Sequence, residues 1–93
     1  MTIGLLRIHI FIPDSNSLKA KRMVLHSLKA RLRNSFNVAV TQVDQQDKWQ
    51  RATLAVVGVE QDIKNMDSIL SRILNFIEKF NSAQLIDYEI EMI

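Results

Sequence analysis

Apolar residues recur along the chain with two different periods, and their alternation lays out six elements. From Thr2 to Ile12 the run is rich in Ile, Leu and Phe and stops at Pro13, which has no amide to donate to a strand ladder. Gly4, Leu6, Ile8, Ile10 and Ile12 form one apolar face. Ile3, Leu5, Arg7, His9 and Phe11 form a mixed one, so the first set is expected to face a covering layer. Turn-type residues follow, and Ser17 is placed to cap a helix from about Leu18 to Asn34. At 100° per residue Leu18, Val24, Leu25, Leu28 and Leu32 share one arc, the buried stripe. Lys21 projects into that arc and is expected to snorkel out at the helix start.

Phe36 to Asp44 alternates again, with Val38 and Val40 on one face and Asn37, Ala39, Thr41 and Val43 on the other. A polar hairpin loop over residues 44–48 leads through Trp49 into the most β-prone segment of the chain, about Gln50 to Glu60. Ala52, Leu54, Val56 and Gly58 are expected on its covered side, where Gly58 would admit a bulge or a close helix. Trp49, Arg51, Thr53, Ala55, Val57 and Val59 fall opposite. Asp62 then caps a helix in which Ile63, Met66, Leu70, Ile73, Ile77 and Phe80 repeat at 3,4,3,4,3, with Ile69, Leu74 and Phe76 widening the apolar arc. Residues 85–92 form a last alternating run, Ile86, Tyr88, Ile90 and Met92 against Leu85, Asp87, Glu89 and Glu91.

The order β-α-β-β-α-β with one short hairpin in its middle predicts an α+β, ferredoxin-like sandwich. Right-handed crossovers give a four-stranded antiparallel sheet ordered 4-1-3-2 with both helices on one face. No linker, repeat or low-complexity tract interrupts the chain, so one domain over residues 1–93 is expected.

Composition narrows the chemistry. The chain lacks cysteine, which removes disulfides, thiolate catalysis and Cys-ligated metals. Arg7 and His9 break the first apolar run, so neither a signal peptide nor a membrane span is expected, and the cytoplasm is the expected compartment. Neither of the two glycines sits in a phosphate loop, and no serine sits in a nucleophile elbow. His9 and His26 fall on different elements, so no metal centre and no cofactor are expected. Asp87, Glu89 and Glu91 share a strand face at about 7 Å spacing, a range open to carboxylate pairs in catalysis. A solvated strand face, or one paired with Arg7 and His9 across the sheet, is the better reading. No catalytic constellation emerges, and an enzyme is not expected.

Charge distribution is more informative than the net charge of +2. Lys19, Arg22, His26, Lys29 and Arg33 make a second stripe on the first helix. Between Ser15 and Ser35 stand six Lys or Arg and no acid, whereas residues 60–93 hold seven acids against three bases. Such a polarised molecule suits phosphate contact with RNA or docking to an acidic protein patch. A solvated Lys/Arg-rich helix face is the plainer account of the same stripe.

The sheet face away from the helices carries Leu5, Phe11, Val43, Ala55, Val57 and Val59, more apolar surface than a monomer usually leaves wet. Either a second copy packs there, making a homo-oligomer with a dimer first, or single-stranded nucleic acid stacks there. Self-association is favoured, because the third strand carries no aromatic residue inside it. Trp49 and Arg51 share strand parity, which would put both on that face as a seal for a subunit contact or as a stacking platform.

The blocks Ser17-Leu18-Lys19-Ala20-Lys21-Arg22, Phe36-Asn37-Val38 and Asp47-Lys48-Trp49-Gln50-Arg51-Ala52 resemble those of the small bacterial YlxP-like proteins, a domain of unknown function. The likeness covers essentially the whole chain and implies a ferredoxin-like fold. It also implies a gene neighbourhood shared with ribosome-binding factor A and a translation initiation factor, which hints at the ribosome by association. It brings no catalytic residue or cofactor. The expected function is therefore a non-enzymatic module contacting RNA or a ribonucleoprotein through the basic helix. The alternative is a homo-oligomeric module holding a small ligand or protein partner on the uncovered sheet.

Overall fold

The computed structural model describes residues 1–45 and 48–93; Gln46 and Asp47, inside the expected hairpin loop, lie outside the described residues. The elements are β1 (Thr2–Phe11), α1 (Leu18–Ser35), β2 (Val38–Asp44), β3 (Arg51–Glu60), α2 (Ile63–Glu78) and β4 (Gln84–Met92). The four strands form one antiparallel sheet ordered β2-β3-β1-β4, the expected order read from its other edge. α2 packs over β1, β3 and β4, while α1 lies nearest β2. No helix among the described residues is long and apolar enough to cross a membrane.

Both helices start where their caps dictate. The Ala20 amide donates to Ser17 Oγ at 3.0 Å and the Asn65 amide to Asp62 Oδ1 at 2.8 Å, each satisfying an amide that a helix start leaves orphaned. Leu25, Leu28 and Leu32 from α1 meet Met66, Leu70, Ile73 and Ile77 from α2 in the core, under Leu6, Ile8, Ile10, Leu54 and Val56 of the central strands. Gly4 and Gly58 pair across β1 and β3. A Cβ on Gly4 would stand 2.5 Å from Met66 Sδ, so α2 comes close to the sheet there; at Gly58, where a bulge or a close helix was expected, the register is unbroken and the nearest atoms to a Cβ are Val38 Cγ1 at 3.3 Å and Met66 Cε at 3.8 Å.

Several boundaries differ from the sequence expectation. Phe36 closes α1 rather than opening β2: its amide donates to Leu32 O at 2.9 Å, and its ring meets Phe76 edge-on at 6.0 Å. Ile63 is exposed although it keeps the helical period. Lys21 does not snorkel; it is 2 % exposed and bonded at both ends of the β2–β3 loop.

Two β-bulges break the simple alternation. One sits in β4 between the Ile10↔Leu85 and His9↔Asp87 pairs, leaving Ile86 as the extra residue. It moves Leu85 to the face of Ile10, against the core, and away from the acids with which it was grouped. The other sits in β2 between Gln42↔Leu54 and Asp44↔Thr53, with Val43 extra. Both fall beside the His9–Thr53 pair. Asp44, Thr53, His9 and Asp87 thus line up across all four strands on the uncovered face.

Candidate nucleic-acid interface

α1 presents the expected basic stripe along about 21 Å of helix from Lys19 to Arg33, at 1.5 Å rise per residue. Lys19, Arg22, His26 and Arg33 are exposed and Lys29 is half-buried. Among the described residues, Lys19, Arg22, Lys29 and Arg33 form no ion pair. Arg33 is nevertheless engaged, since its Nη2 donates to Val40 O at 2.7 Å. That bond ties the end of α1 to the outer strand β2 and leaves the rest of the guanidinium at the surface. Arg31, outside the stripe, lies over the Phe80 ring at 5.5 Å.

Lys21 connects this helix to the hairpin. Its ammonium donates to the main-chain carbonyls of Gln45 and Lys48, which lie on either side of the two residues outside the description. Gln45 turns the chain out of β2 at φ 66°, and its amide is held by Asp44 Oδ1 at 2.8 Å. Sequence reasoning missed this role. The signal was present in the lysine inside the apolar arc, because a buried ammonium requires acceptors and backbone carbonyls of a facing loop supply them.

Immediately after the loop, Trp49 is 56 % exposed and lines an open groove of about 440 Å³ with Ser15, Asn16, Lys48, Gln50 and Arg51. β3 begins at Arg51, so strand parity does not place Trp49, which stands between the hairpin and the β1–α1 connection. Arg51 is on the sheet face opposite Phe11, with its guanidinium carbon 5.9 Å from the ring centre.

The uncovered face divides in two. At one end Leu5 pairs with Val57 and Ile3 with Val59, and Val57 and Val59 are exposed. At the other end stands a polar network. Glu89 Oε1 lies 2.8 Å from His9 Nε2, and Glu89 Oε2 accepts from Arg7 Nη1 at 3.3 Å. A carboxylate can only accept, so the His9 proton is on Nε2, and in the neutral ring the Thr53 hydroxyl donates to Nδ1 at 3.0 Å. The His9 bond, followed by that of Arg7, holds the Glu89 carboxyl below the usual carboxylate range. Of the two arrangements expected for the acidic strand, Glu89 takes the cross-sheet pairing, while Asp87 and Glu91 form no ion pair among the described residues. Thr53 is buried beneath the network. His9 is thereby committed to the sheet while His26 sits on the outside of α1, so the two imidazoles are not brought together.

The structure therefore defines a small ferredoxin-like α+β protein with a basic helix, a clamped hairpin and an open sheet face. Residues 3–90 match the family described as "Protein of unknown function (DUF503)", and the chain belongs to that family. It is 36 % identical over 78 residues to "Uncharacterized protein YlxP" of Bacillus subtilis (strain 168), an alignment covering 84 % of this chain and 85 % of the relative. Among solved structures it is similar to "De novo designed protein Foldit4", with TM-score 0.55 and 11 % identity, covering 100 % of this chain and 97 % of that one. The last likeness concerns the fold alone.

Proposed function

We propose that this protein is a non-enzymatic module that binds RNA, alone or within a ribonucleoprotein, along the outer face of α1. The observation that carries this reading is that Lys19, Arg22 and Lys29 make no ion pair among the described residues. The acids of residues 60–93 are borne by the far side of the chain's order, on α2 and β4 and the segment before them. Positive charge left uncompensated on one helix attracts a polyanion and releases its counterions. The stripe positions a backbone and reads no sequence.

The test is the salt dependence of binding to a single-stranded RNA oligonucleotide, measured by fluorescence anisotropy. The triple variant Lys19→Gln, Arg22→Gln, Lys29→Gln is compared with the parent chain. Each lost phosphate contact should flatten the slope of log affinity against log salt by roughly 0.7. An unchanged slope overturns the role assigned to the stripe.

A second reading is favoured by exposed Val57 and Val59 beside Leu5 and Ala55: the uncovered sheet face seats a second copy of this chain. Four strands of about nine residues offer roughly 600 Å² per copy at strand spacings near 4.8 Å and 3.3 Å per residue. The total, roughly 1,200 Å², reaches the lower bound of specific interfaces. Light scattering at micromolar protein distinguishes monomer from dimer directly.

A further inference from the structure

We propose that the groove at Trp49 holds an unpaired base of single-stranded RNA, stacked on the indole with its phosphate against Lys48 and Arg51. This inference rests on the RNA reading above but concerns a different site and a different chemistry.

Trp49 is the only tryptophan, and it is left more than half exposed. An indole contributes chiefly through buried area, so a wet one on a fastened support is a surface awaiting a partner. The support is hydrogen-bonded on both sides. The Ile12 amide donates to Gln50 O at 2.8 Å, and Gln50 Nε2 donates to Pro13 O at 3.1 Å, which fastens the entry to β3 onto the end of β1. Lys21 grips the carbonyl of Lys48, the residue just before the indole. Binding therefore orders little that is not ordered already, and that preorganisation favours affinity.

The groove's volume, about 440 Å³, lies within the range of small-ligand sites, about 300–1,000 Å³. Lys48 and Arg51 line it, and no carboxylate does so among the described residues. The guanidinium of Arg51 is restrained over Phe11 and offers its remaining donors to an anion. Asn16 supplies both a donor and an acceptor for a base edge. An aromatic plane flanked by cations takes any base and its phosphate, the mode of single-strand binders. Ser15 and Asn16 immediately precede α1, whose exposed Lys19 and Arg22 occupy its first turns, so one strand could follow stripe and groove together.

Trp49 is also its own reporter, since all tryptophan emission comes from this site. The full chain is titrated with a mixed-sequence RNA octamer, with the same sequence as a duplex, and with poly-glutamate. The single strand should quench Trp49 emission, and the duplex, whose bases are already stacked, should quench it far less. Trp49→Ala should weaken binding about 5- to 150-fold without changing the salt slope, and Trp49→Phe should restore most of it. Strand binding with undisturbed emission, equal quenching by duplex or by poly-glutamate, or wild-type affinity in Trp49→Ala overturns the groove and leaves the stripe standing. Absence of binding by any RNA overturns both. Quenching that persists while the triple stripe variant keeps its slope removes the stripe and retains the groove. Should Trp49→Ala fail to fold, wild-type quenching and Trp49→Phe decide the matter.

Discussion

The ammonium of Lys21, in the second turn of α1, donates to the main-chain carbonyl of Lys48, across the molecule at the foot of β3. A charged side chain that is 2 % exposed thus meets main-chain acceptors, and the bonds tie Gln45 and Lys48 to the helix. Lys21→Met keeps the length and the apolar stem but removes the donor. It should destabilise the protein by about 1.5–3 kcal/mol, the contribution of a hydrogen bond from a charged group. The same variant should lower the fluorescence anisotropy of Trp49, because the residue ahead of the indole loses its anchor. An unchanged denaturation midpoint together with unchanged anisotropy would show that the clamp is dispensable.

Gly4 tests the closeness of α2 to the sheet. A methyl group there meets Met66 Sδ at 2.5 Å in a fully buried position, and the thioether must move within a packed core. Gly4→Ala should cost roughly 1–3 kcal/mol, as overpacking does. Gly58→Ala should cost less, since its nearest neighbour is Val38 Cγ1 at 3.3 Å. Paired urea melts rank the two, and a larger loss for Gly58→Ala would contradict the packing described.

The network on the uncovered face gives a pH dependence with a defined sign. Glu89 is held below its ordinary value, so the folded state favours the ionised form more than the unfolded chain does. The resulting stability is fully present above the ordinary carboxylate value of 4.5 and is lost as pH falls through the lowered folded value. Between about pH 6 and pH 3 the parent chain should lose more stability than Glu89→Gln, which has no proton to gain. Denaturant midpoints across that interval provide the measurement, and parallel curves would show that the network contributes nothing.

For the sheet-face dimer, the pair Val57→Lys and Val59→Lys places charge on exposed positions of β3 without touching the core. Surface changes of this kind usually stay within about 0.5 kcal/mol each for the folded monomer. The double variant should therefore remain folded but scatter as a monomer at concentrations where the parent chain is a dimer. A dimer that survives both lysines would place the contact elsewhere.

Much of this protein was determined by its sequence alone, because the relevant physics is local. Ser17 and Asp62 cap helices through amides three residues away, and a 4,3,4 period from Met66 to Ile77 requires only helical geometry to form a buried stripe. Strict alternation in β1 and β3 assigned Leu6, Ile8, Leu54 and Val56 to the core, and connection handedness then fixed the strand order. The basic stripe followed from the same 100° arithmetic. Tertiary structure decided whatever depends on a partner remote in sequence. Whether Lys21 reaches water or a buried acceptor is settled by the hairpin facing α1, and Trp49 is placed by the β1–α1 connection rather than by strand parity. The bulges at Val43 and Ile86 belong to this class too, since register is a relation between two strands. One extra residue on each edge strand moved Asp44 into the row of Thr53 and His9 and turned Leu85 to the core face, a rearrangement that no periodicity within a single strand encodes.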